Sequence, residues 1–402
     1  MEIMDQHIPE MLALLRGSIW QQPYTPAVQV DYDAMWRELK LHTIQNLCVD
    51  LLAAADPANQ MRYLASGAKN CAAWYRLMGV QQTITHVLDK AEIPCAVLKG
   101  AAADLAYPQP LNRSMGDIDL LVKPTDFDRA MALLLDNGCL LHDVRNPRHT
   151  ELRMNGVQIE LHRHFAVLSD AKRASHLDRM LFDSLDRVQL QEIEGYHFYS
   201  LPPLENGLVL LEHINSHMAS GLGLRQIIDW MLYVQQALDD DAWFGEFQAV
   251  AQTVHLEKLA VTVTRMCQMY LGLREDISWC RFADRKLCQR LMEHIIGQGN
   301  FGNKLDRRSH GAVKVLNALR SDGNFFRLLQ RHGCYNWKAL QKHPWLRPFA
   351  WLYQLCRYIR KALSGGRITR TFQGIFQKQR RNSDLLADLG VQQKNHRLDY
   401  DE

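Results

Sequence analysis

Asp117 and Asp119 stand two residues apart in the stretch "LKGAAADLAYPQPLNRSMGDIDLLV", Leu98 to Val122. On a strand, residues i and i+2 share a face. The two carboxylates would then be neighbours, roughly 6–7 Å apart along the chain, with Ile118, Leu120 and Val122 turned into a core. Adjacent carboxylates repel and raise each other's pKa, and a bound cation turns that repulsion into attraction. An all-oxygen donor set suits Mg2+, with Mn2+ as the alternative, held between carboxylates and the phosphates of a substrate. Two such ions clamp the attacking and leaving oxygens of a phosphoryl transfer. The segment "VQIELH" offers a third acid, Glu160, on a strand whose Ile159 and Leu161 would face the core. The plain alternative, for a bare Asp-x-Asp and a lone strand acid, is a solvated sheet face.

The flanking residues favour the chemical reading. In "LKGAAAD" an apolar run closes on Gly100 and enters a helix, which exposes backbone N–H groups to an anion. Gly100 allows close approach of the backbone, and Lys99 adds a mobile positive charge. Arg113 and Ser114 sit on a Pro-bounded loop just before the aspartates, and arginine makes forked contacts to phosphate oxygens. One short stretch therefore holds a phosphate-cradling turn, a phosphate-binding arginine and a metal-binding carboxylate pair.

These residues need elements to position them. "CAVLKG", "DIDLLV", "CLLHDV", "HTELRM" and "VQIELHRHF" read as strands, the last two joined by Asn155-Gly156, the strongest short hairpin signal. "AAADLAY" and "KPTDFDRAMALLLDNG" read as helices, the second with Asp126 near its start and Gly138 at its end. Before this island, "MWRELKLHTIQNLCVDLLAAA" and "ASGAKNCAAWYRLMGVQQTITHVLDKA" have helical periodicity, and Pro94 stops the second. From about Leu204 onward the chain is again helical. The expected fold class is α+β, a mixed sheet with flanking helices set among helical regions. The expected divisions are 1–92 (N-terminal helices), 93–200 (the core), 201–300 (helices packing on the core) and 301–402 (a basic, aromatic-rich region).

Size and composition agree. The 402 residues are 47% hydrophobic and 23% charged, with a formal net charge of +3, ordinary for a globular protein with a real core. Nine scattered cysteines without a Cys-x-x-Cys pair suit reduced thiols in the cytoplasm. Neither a signal peptide nor a run of ~18 apolar residues for a membrane span is evident. No Gly-x-x-x-x-Gly-Lys-Ser/Thr loop is present, which argues against a P-loop ATPase.

The pattern "LKG…YP.P..R…DIDLLV…ELH" resembles the nucleotidyltransferase superfamily typified by DNA polymerase β, and more narrowly a bacterial group usually called uncharacterised nucleotidyltransferases. The resemblance covers roughly residues 90–235, including "LEHINSHMASGLGLRQIIDW". It implies a polymerase-β-like fold and Mg2+-dependent transfer of a nucleoside monophosphate from an NTP, ATP among them, with release of pyrophosphate. Asp117 and Asp119 match the metal-binding pair, Glu160 the third acid and Gly100 the phosphate turn. Lys99, Arg113, Ser114 and Arg225 are the expected nucleotide contacts. Two features depart from the wider superfamily: Lys99-Gly100-Ala101 replaces a Gly-Gly or Gly-Ser turn, and the gap from Gly100 to Asp117 is longer. The acceptor is left open among a small molecule, a sugar, a lipid-linked intermediate, a protein and an RNA. Two rival readings remain: a nucleotide-binding regulator with weak or no turnover, and a surface adaptor working through the basic tail.

Other residues have two readings each. His213 and His217 are i,i+4 and could hold zinc, line a polar helix face or share the substrate pocket. Arg225 and Asp229 could form a helix-surface pair, or Arg225 could reach a triphosphate. His162 and His164, on the Glu160 strand face, could orient a ligand or act as a base. From Gly311 to Arg381 there are fifteen basic residues, Lys314 through Arg381, against one acid, Asp322, with aromatics such as Trp337, Trp345, Trp351, Phe372 and Phe376 interleaved. "WLRPFAWLYQLCRYIRKALSGG" reads as an amphipathic helix begun by Pro348 and carrying Arg357, Arg360 and Lys361. Such a helix packs on the core, lies at the inner face of a membrane or meets nucleic acid.

Overall fold

The computed structural model describes residues 7–27, 29–168, 170–218, 221–300, 304, 325–341, 343–363 and 384–390. The fold is α+β. Helices α1 (His7–Ile19), α2 (Tyr32–Leu41), α3 (Val49–Ala55) and α4 (Gln60–Lys90) lead into β1 (Cys95–Leu98), α5 (Gly100–Asp104), β2 (Asp117–Val122), α6 (Phe127–Asp136), β3 (Leu140–Asp143), β4 (His149–Met154) and β5 (Val157–His162). There follow α7 (Ala171–Ser184), β6 (Gln189–Ile193), β7 (Tyr196–Ser200), α8 (Pro203–His217) and α9 (Leu224–Ala237). Later helices include Glu257–Leu271 and Arg285–Gln298.

The seven strands make one mixed sheet in the order β3-β4-β5-β2-β1-β7-β6. β2 lies parallel to β5 and antiparallel to β1. The β4–β5 hairpin turns at Asn155 and Gly156, with φ of 50° and 76°, the positive values that a type I′ turn requires. Strand alternation sorts side chains into two cores. Val97, Ile118, Leu120, Ile159 and Leu161 pack with Trp74, Ile84 and Leu88 of α4 and Phe127 of α6. On the opposite face Ala96, Leu98 and Leu121 join a larger core that unites α1 with α8, α9 and helix Glu257–Leu271 through Leu14, Leu211, Trp230 and Met266. The N-terminal helices α1–α3 thus share a core with the helices that follow the sheet. That packing was outside the reach of local periodicity.

Several boundaries differ from expectation. The segment "MWRELKLHTIQNLCVDLLAAA" is not one helix, because Thr43 takes φ 58° and separates α2 from α3. Helix α4 ends at Lys90, ahead of Pro94, where Glu92 turns at φ 55°. Asp126 precedes α6 but makes no side-chain cap bond. α7 and the β6–β7 hairpin had no counterpart in the sequence reading. β6 is largely exposed, so it lacks the apolar alternation that marks a half-buried strand.

Arg113 was expected to reach phosphate oxygens from its Pro-bounded loop, yet it is 4% exposed. Its Nε and Nη2 donate to the two carboxylate oxygens of Asp229 at 2.8 Å each, and Nη1 donates to Asp104 at 3.0 Å and to the Gly100 carbonyl at 3.2 Å. Tyr107 Oη donates to Asp229 at 2.6 Å and Trp74 Nε1 to Asp104 at 2.8 Å. Asp229 is therefore no surface partner of Arg225. This buried cluster joins α5, the loop before β2, and α9.

Removing the cation would strand two buried carboxylates. Arg113→Ala should lower unfolding stability in urea by about 3–5 kcal/mol. Arg113→Lys should recover little, since a single ammonium cannot reproduce the two-pronged contact. Wild-type stability in both variants would assign Arg113 to a ligand role instead.

Candidate active site

The register of β2 on β5 decides the geometry. Asp119 lies opposite Glu160 and Asp117 opposite Gln158 in parallel strands, so the three acids share the sheet face that looks toward α8. His162 Nε2 lies 2.9 Å from Asp119 Oδ1 and 3.4 Å from Glu160 Oε2, so both carboxylates reach one imidazole nitrogen. The sequence reading brought Asp117, Asp119 and Glu160 together, and they are together here.

Lys99 Nζ sits 2.9 Å from Asp119 Oδ1 and 5.6 Å from the centre of the Phe165 ring. Its backbone adopts φ 52°, ψ −137°, a strained region for a non-glycine residue, and Gly100 follows at φ 36°. That double positive φ turns the chain off β1 so that the ammonium bends back over the acids. α5 is only five residues long, so the turn offers a few N–H donors more than a strong helix dipole.

Charge partners set the ionisation of each acid. Burial, with Asp119 and Glu160 adding repulsion, pushes Asp117 up to about 6. Burial also opposes ionisation of Asp119, but Lys99 and His162 overcome it and hold that carboxyl well below the usual range. Glu160 is likewise lowered against its burial, chiefly by His162 and also by His149. His162 is raised despite burial because two carboxylates face it. One Asp119 oxygen, Oδ1, is thus covered by a lysine ammonium and an imidazole.

The remaining expected residues divide. Ser114 is tied down, its Oγ accepting from Asn46 Nδ2 at 3.0 Å and its carbonyl from Arg225 Nη1 at 2.7 Å. Arg225 Nε is buried without a hydrogen-bond partner, and burial with the nearby Arg113 lowers the Arg225 pKa against the pull of Asp229 and Asp117. His213 and His217 stack edge-on, ring centres 4.7 Å apart, on the face of α8 that meets the acids. Burial and the nearby Lys99 lower both, His217 to about 4, so α8 presents neutral imidazoles. His164 parts from His162: the strand ends between them, and His164 Nδ1 turns to Asp178 Oδ2 at 3.2 Å.

One site residue went unread in the sequence. His149 on β4 lies directly across from His162, and its Nδ1 is 3.5 Å from Glu160 Oε2. The signal was present. Counting outward from Asn155-Gly156, Met154 pairs with Val157 and five steps further His149 pairs with His162.

Acids from two parallel strands thus share one sheet face, with a lysine-glycine turn beside them. The family model described as "Uncharacterised nucleotidyltransferase" matches residues 29–272, and the chain belongs to that family. The match extends beyond the 90–235 stretch on both sides. Among solved structures, an antigenic nucleotidyltransferase-like protein from Paracoccidioides brasiliensis is 19% identical and aligns over 49% of this chain and 93% of its own, with a TM-score of 0.33. A comparison with curated proteins found no match.

Glu212 on α8 gives the region a pH signature away from the three acids. It accepts from Val167 N at 2.6 Å and Asn215 Nδ2 at 2.7 Å, and burial raises its pKa from 4.5 to about 7. A carboxyl raised in the folded state binds its proton more tightly there than when unfolded. Its contribution is therefore full below about pH 4.5 and is lost as pH rises to about 7. Glu212→Gln should flatten that part of the stability profile in urea unfolding between pH 4.5 and 7.5. An unchanged slope would remove Glu212 as its source.

Proposed function

We propose that the protein transfers a nucleoside monophosphate from an NTP, with ATP the first to test, to an acceptor hydroxyl, releasing pyrophosphate. The observation that carries this reading is the shared face of Asp117, Asp119 and Glu160, with the Lys99-Gly100 turn beside it. The donor set fits Mg2+ or Mn2+: all oxygen, partly buried, and met at Asp119 by a cation, Lys99. Asp117, Asp119 and Glu160 would hold the ion. Once bound, it supplies charge neutralisation at the transferring phosphoryl group and its leaving oxygen.

The chain's own residues do the rest. Lys99, released from Asp119, pairs with triphosphate oxygens, and Gly100 brings backbone N–H donors near them. Arg225 adds its unpartnered Nε on the Asp117 side. Arg113 and Ser114 act as positioning residues in this scheme, because the one is consumed by Asp104 and Asp229 and the other anchors the loop. Glu160 or Asp119 accepts the acceptor's proton as its oxygen bonds to the α-phosphorus and the bond to pyrophosphate breaks. Phosphoryl transfer asks mainly for positioning and charge, which this face supplies. His213 and His217 lie where the nucleotide or acceptor would contact α8. The acceptor classes remain those named above.

Pyrophosphate release should be measured with each NTP and Mg2+ over an acceptor panel. Asp117→Asn and Asp119→Asn should abolish it while the fold persists, and Lys99→Ala should weaken NTP binding about tenfold to hundredfold, one charge-assisted contact of roughly 1.5–3 kcal/mol. NTP binding without turnover on any acceptor would favour the regulator reading. Loss of folding in both aspartate variants would make the acids structural.

A second reading concerns location and stands on the C-terminal helices. Helix Phe325–Asn336 packs on helix Ala350–Leu363. Trp337 stacks on Tyr353 at 4.9 Å, and Gly333 comes so close to the Ala350 carbonyl that a Cβ would lie 1.8 Å from its oxygen. The second helix begins at Ala350, after a 3-10 turn over Pro344–Phe349 that contains Pro348. Phe326, Trp345 and Phe349 stay 61%, 70% and 52% exposed; the exposed Arg347 lies between the last two in the chain, and Arg360 is exposed on the second helix. Much of the expected basic run, including Lys314, Asp322 and everything from residue 364 to Arg381, with Phe372 and Phe376, lies outside the described residues, as do the side chains of Tyr358 and Lys361. No helix among the described residues is long and apolar enough to cross a membrane. Exposed rings beside arginines suit peripheral docking on an anionic bilayer, in the cytoplasm at the inner face of the membrane. The protein should sediment with anionic vesicles at low salt, less so with Arg357→Glu plus Arg360→Glu. Protein that stays in solution under those conditions would exclude this reading.

A further inference from the structure

Beside the aspartate pair lies a donor set of different chemistry. We propose that His149, Glu160 and His162 form a binding site for a borderline-soft first-row divalent ion, with Zn2+ as the reference case, which shares Glu160 with the all-oxygen set of Asp117, Asp119 and Glu160. The inference does not depend on the nucleotidyl-transfer reading.

The distances carry it. One ligand atom from each residue lies within 4.8 Å of the other two. His149 Nδ1 is 3.5 Å and His162 Nε2 is 3.4 Å from the same Glu160 oxygen, Oε2. Nitrogen and oxygen donors about 2.0–2.2 Å from a tetrahedral Zn2+ must stand about 3.3–3.5 Å from one another. These two separations already have that length, which is too long for a good hydrogen bond.

The polar state of the three residues agrees. His149 is 7% exposed, and its Nδ1 is buried without a hydrogen-bond partner, although it points at a carboxylate. His162 Nδ1 donates to the His164 carbonyl at 3.3 Å. Ligating histidines are oriented in this way, with one ring N–H on a backbone carbonyl and the other nitrogen turned to the ion; His162 Nε2 also lies 2.9 Å from Asp119 Oδ1, a contact that the ion would replace. Glu160 commits Oε2 to the two imidazoles while Oε1 faces Gln158 Nε2 at 3.5 Å. His149 Nε2 is 3.2 Å from Asn146 Nδ2. Binding would move the ring proton of His149 from Nδ1 to Nε2 and turn the Asn146 amide to accept it. Two imidazoles select Zn2+ over Mg2+, and three protein ligands leave a fourth position for a water or a substrate oxygen. The hairpin register creates the set: β4 and β5 bring His149 opposite His162, and strand alternation puts Glu160 on their face.

The test uses the full-length protein stripped of metal. Titration with Co2+ should give the visible absorption of a tetrahedral site, and Zn2+ should bind in calorimetry at one equivalent. His149→Ala and the bulkier His149→Gln should both lose the Co2+ band and bind Zn2+ at least about tenfold to hundredfold more weakly, since even outer-shell losses have that size. Thermal unfolding of each variant checks that the fold survives. Asp117→Asn should keep the band, whatever it does to pyrophosphate release, so failure of this proposal and failure of the nucleotidyl-transfer reading are read separately. No band in the wild type, an unchanged band in both His149 variants, or a band lost in Asp117→Asn and kept in His149→Ala would overturn the site.

Discussion

The buried guanidinium of Arg113 is the interaction on which the rest of the structure depends. It lies between Asp104 of α5 and Asp229 of α9, and the loop that carries it runs directly into Asp117. One cation therefore fixes three things: how α5 leaves the Lys99-Gly100 turn, where α9 sits, and where β2 begins. Taking three charges out of water is expensive. Further bonds from Tyr107, Trp74 and the Gly100 carbonyl use the remaining polar atoms, so the cluster specifies one arrangement. Asp104 still carries the strain of the surplus negative charge, burial pushing it up to about 6. Arg225, one turn before Asp229, anchors the same loop through the Ser114 carbonyl.

The acids follow from a second constraint, the two-sidedness of the sheet. One face of β2 and β5 is wholly apolar and packs on α4. The other carries Asp117, Asp119, Glu160 and His162, and is met by the Lys99 ammonium, by imidazoles and by the Phe165 ring. Lys99 neutralises Asp119, His162 bridges Asp119 and Glu160, and His213 and His217 look down from α8. Repulsion among the acids is held by this surround, which leaves Asp117 as the acid whose pKa rises. The strained backbone of Lys99, worth about 1–3 kcal/mol, is the conformational cost of bending that ammonium over the site.

How much of this was legible depended on the range of the interactions. β2, β5 and the Asn155-Gly156 hairpin rest on alternation and turn chemistry, which act over a few residues, and all appear in the structure. The shared face of Asp117 and Asp119 follows from the strand period alone, and Glu160 joined them once β5 was placed beside β2. Thr43 broke an expected helix because positive φ at an ordinary residue has no composition signal. β6 was invisible because an exposed edge strand lacks a buried face.

By itself the sequence determined the residue types, the strand faces and the family resemblance, because those are written in local periodicity and in motifs of fixed spacing. It also held the pairing of His149 with His162, legible by counting from the turn. Only the tertiary structure decided that Arg113 is a buried tie, that Asp229 faces it and not Arg225, and that α1 shares a core with α8 and α9. These are contacts between segments a hundred or more residues apart in two of the three cases, Arg113 to Asp229 and α1 to α8. An arginine on a Pro-bounded loop has the same local signature whether it reaches out to a phosphate or inward to a carboxylate. The choice is made by what packs across from it, and the chain specifies that only when it is folded.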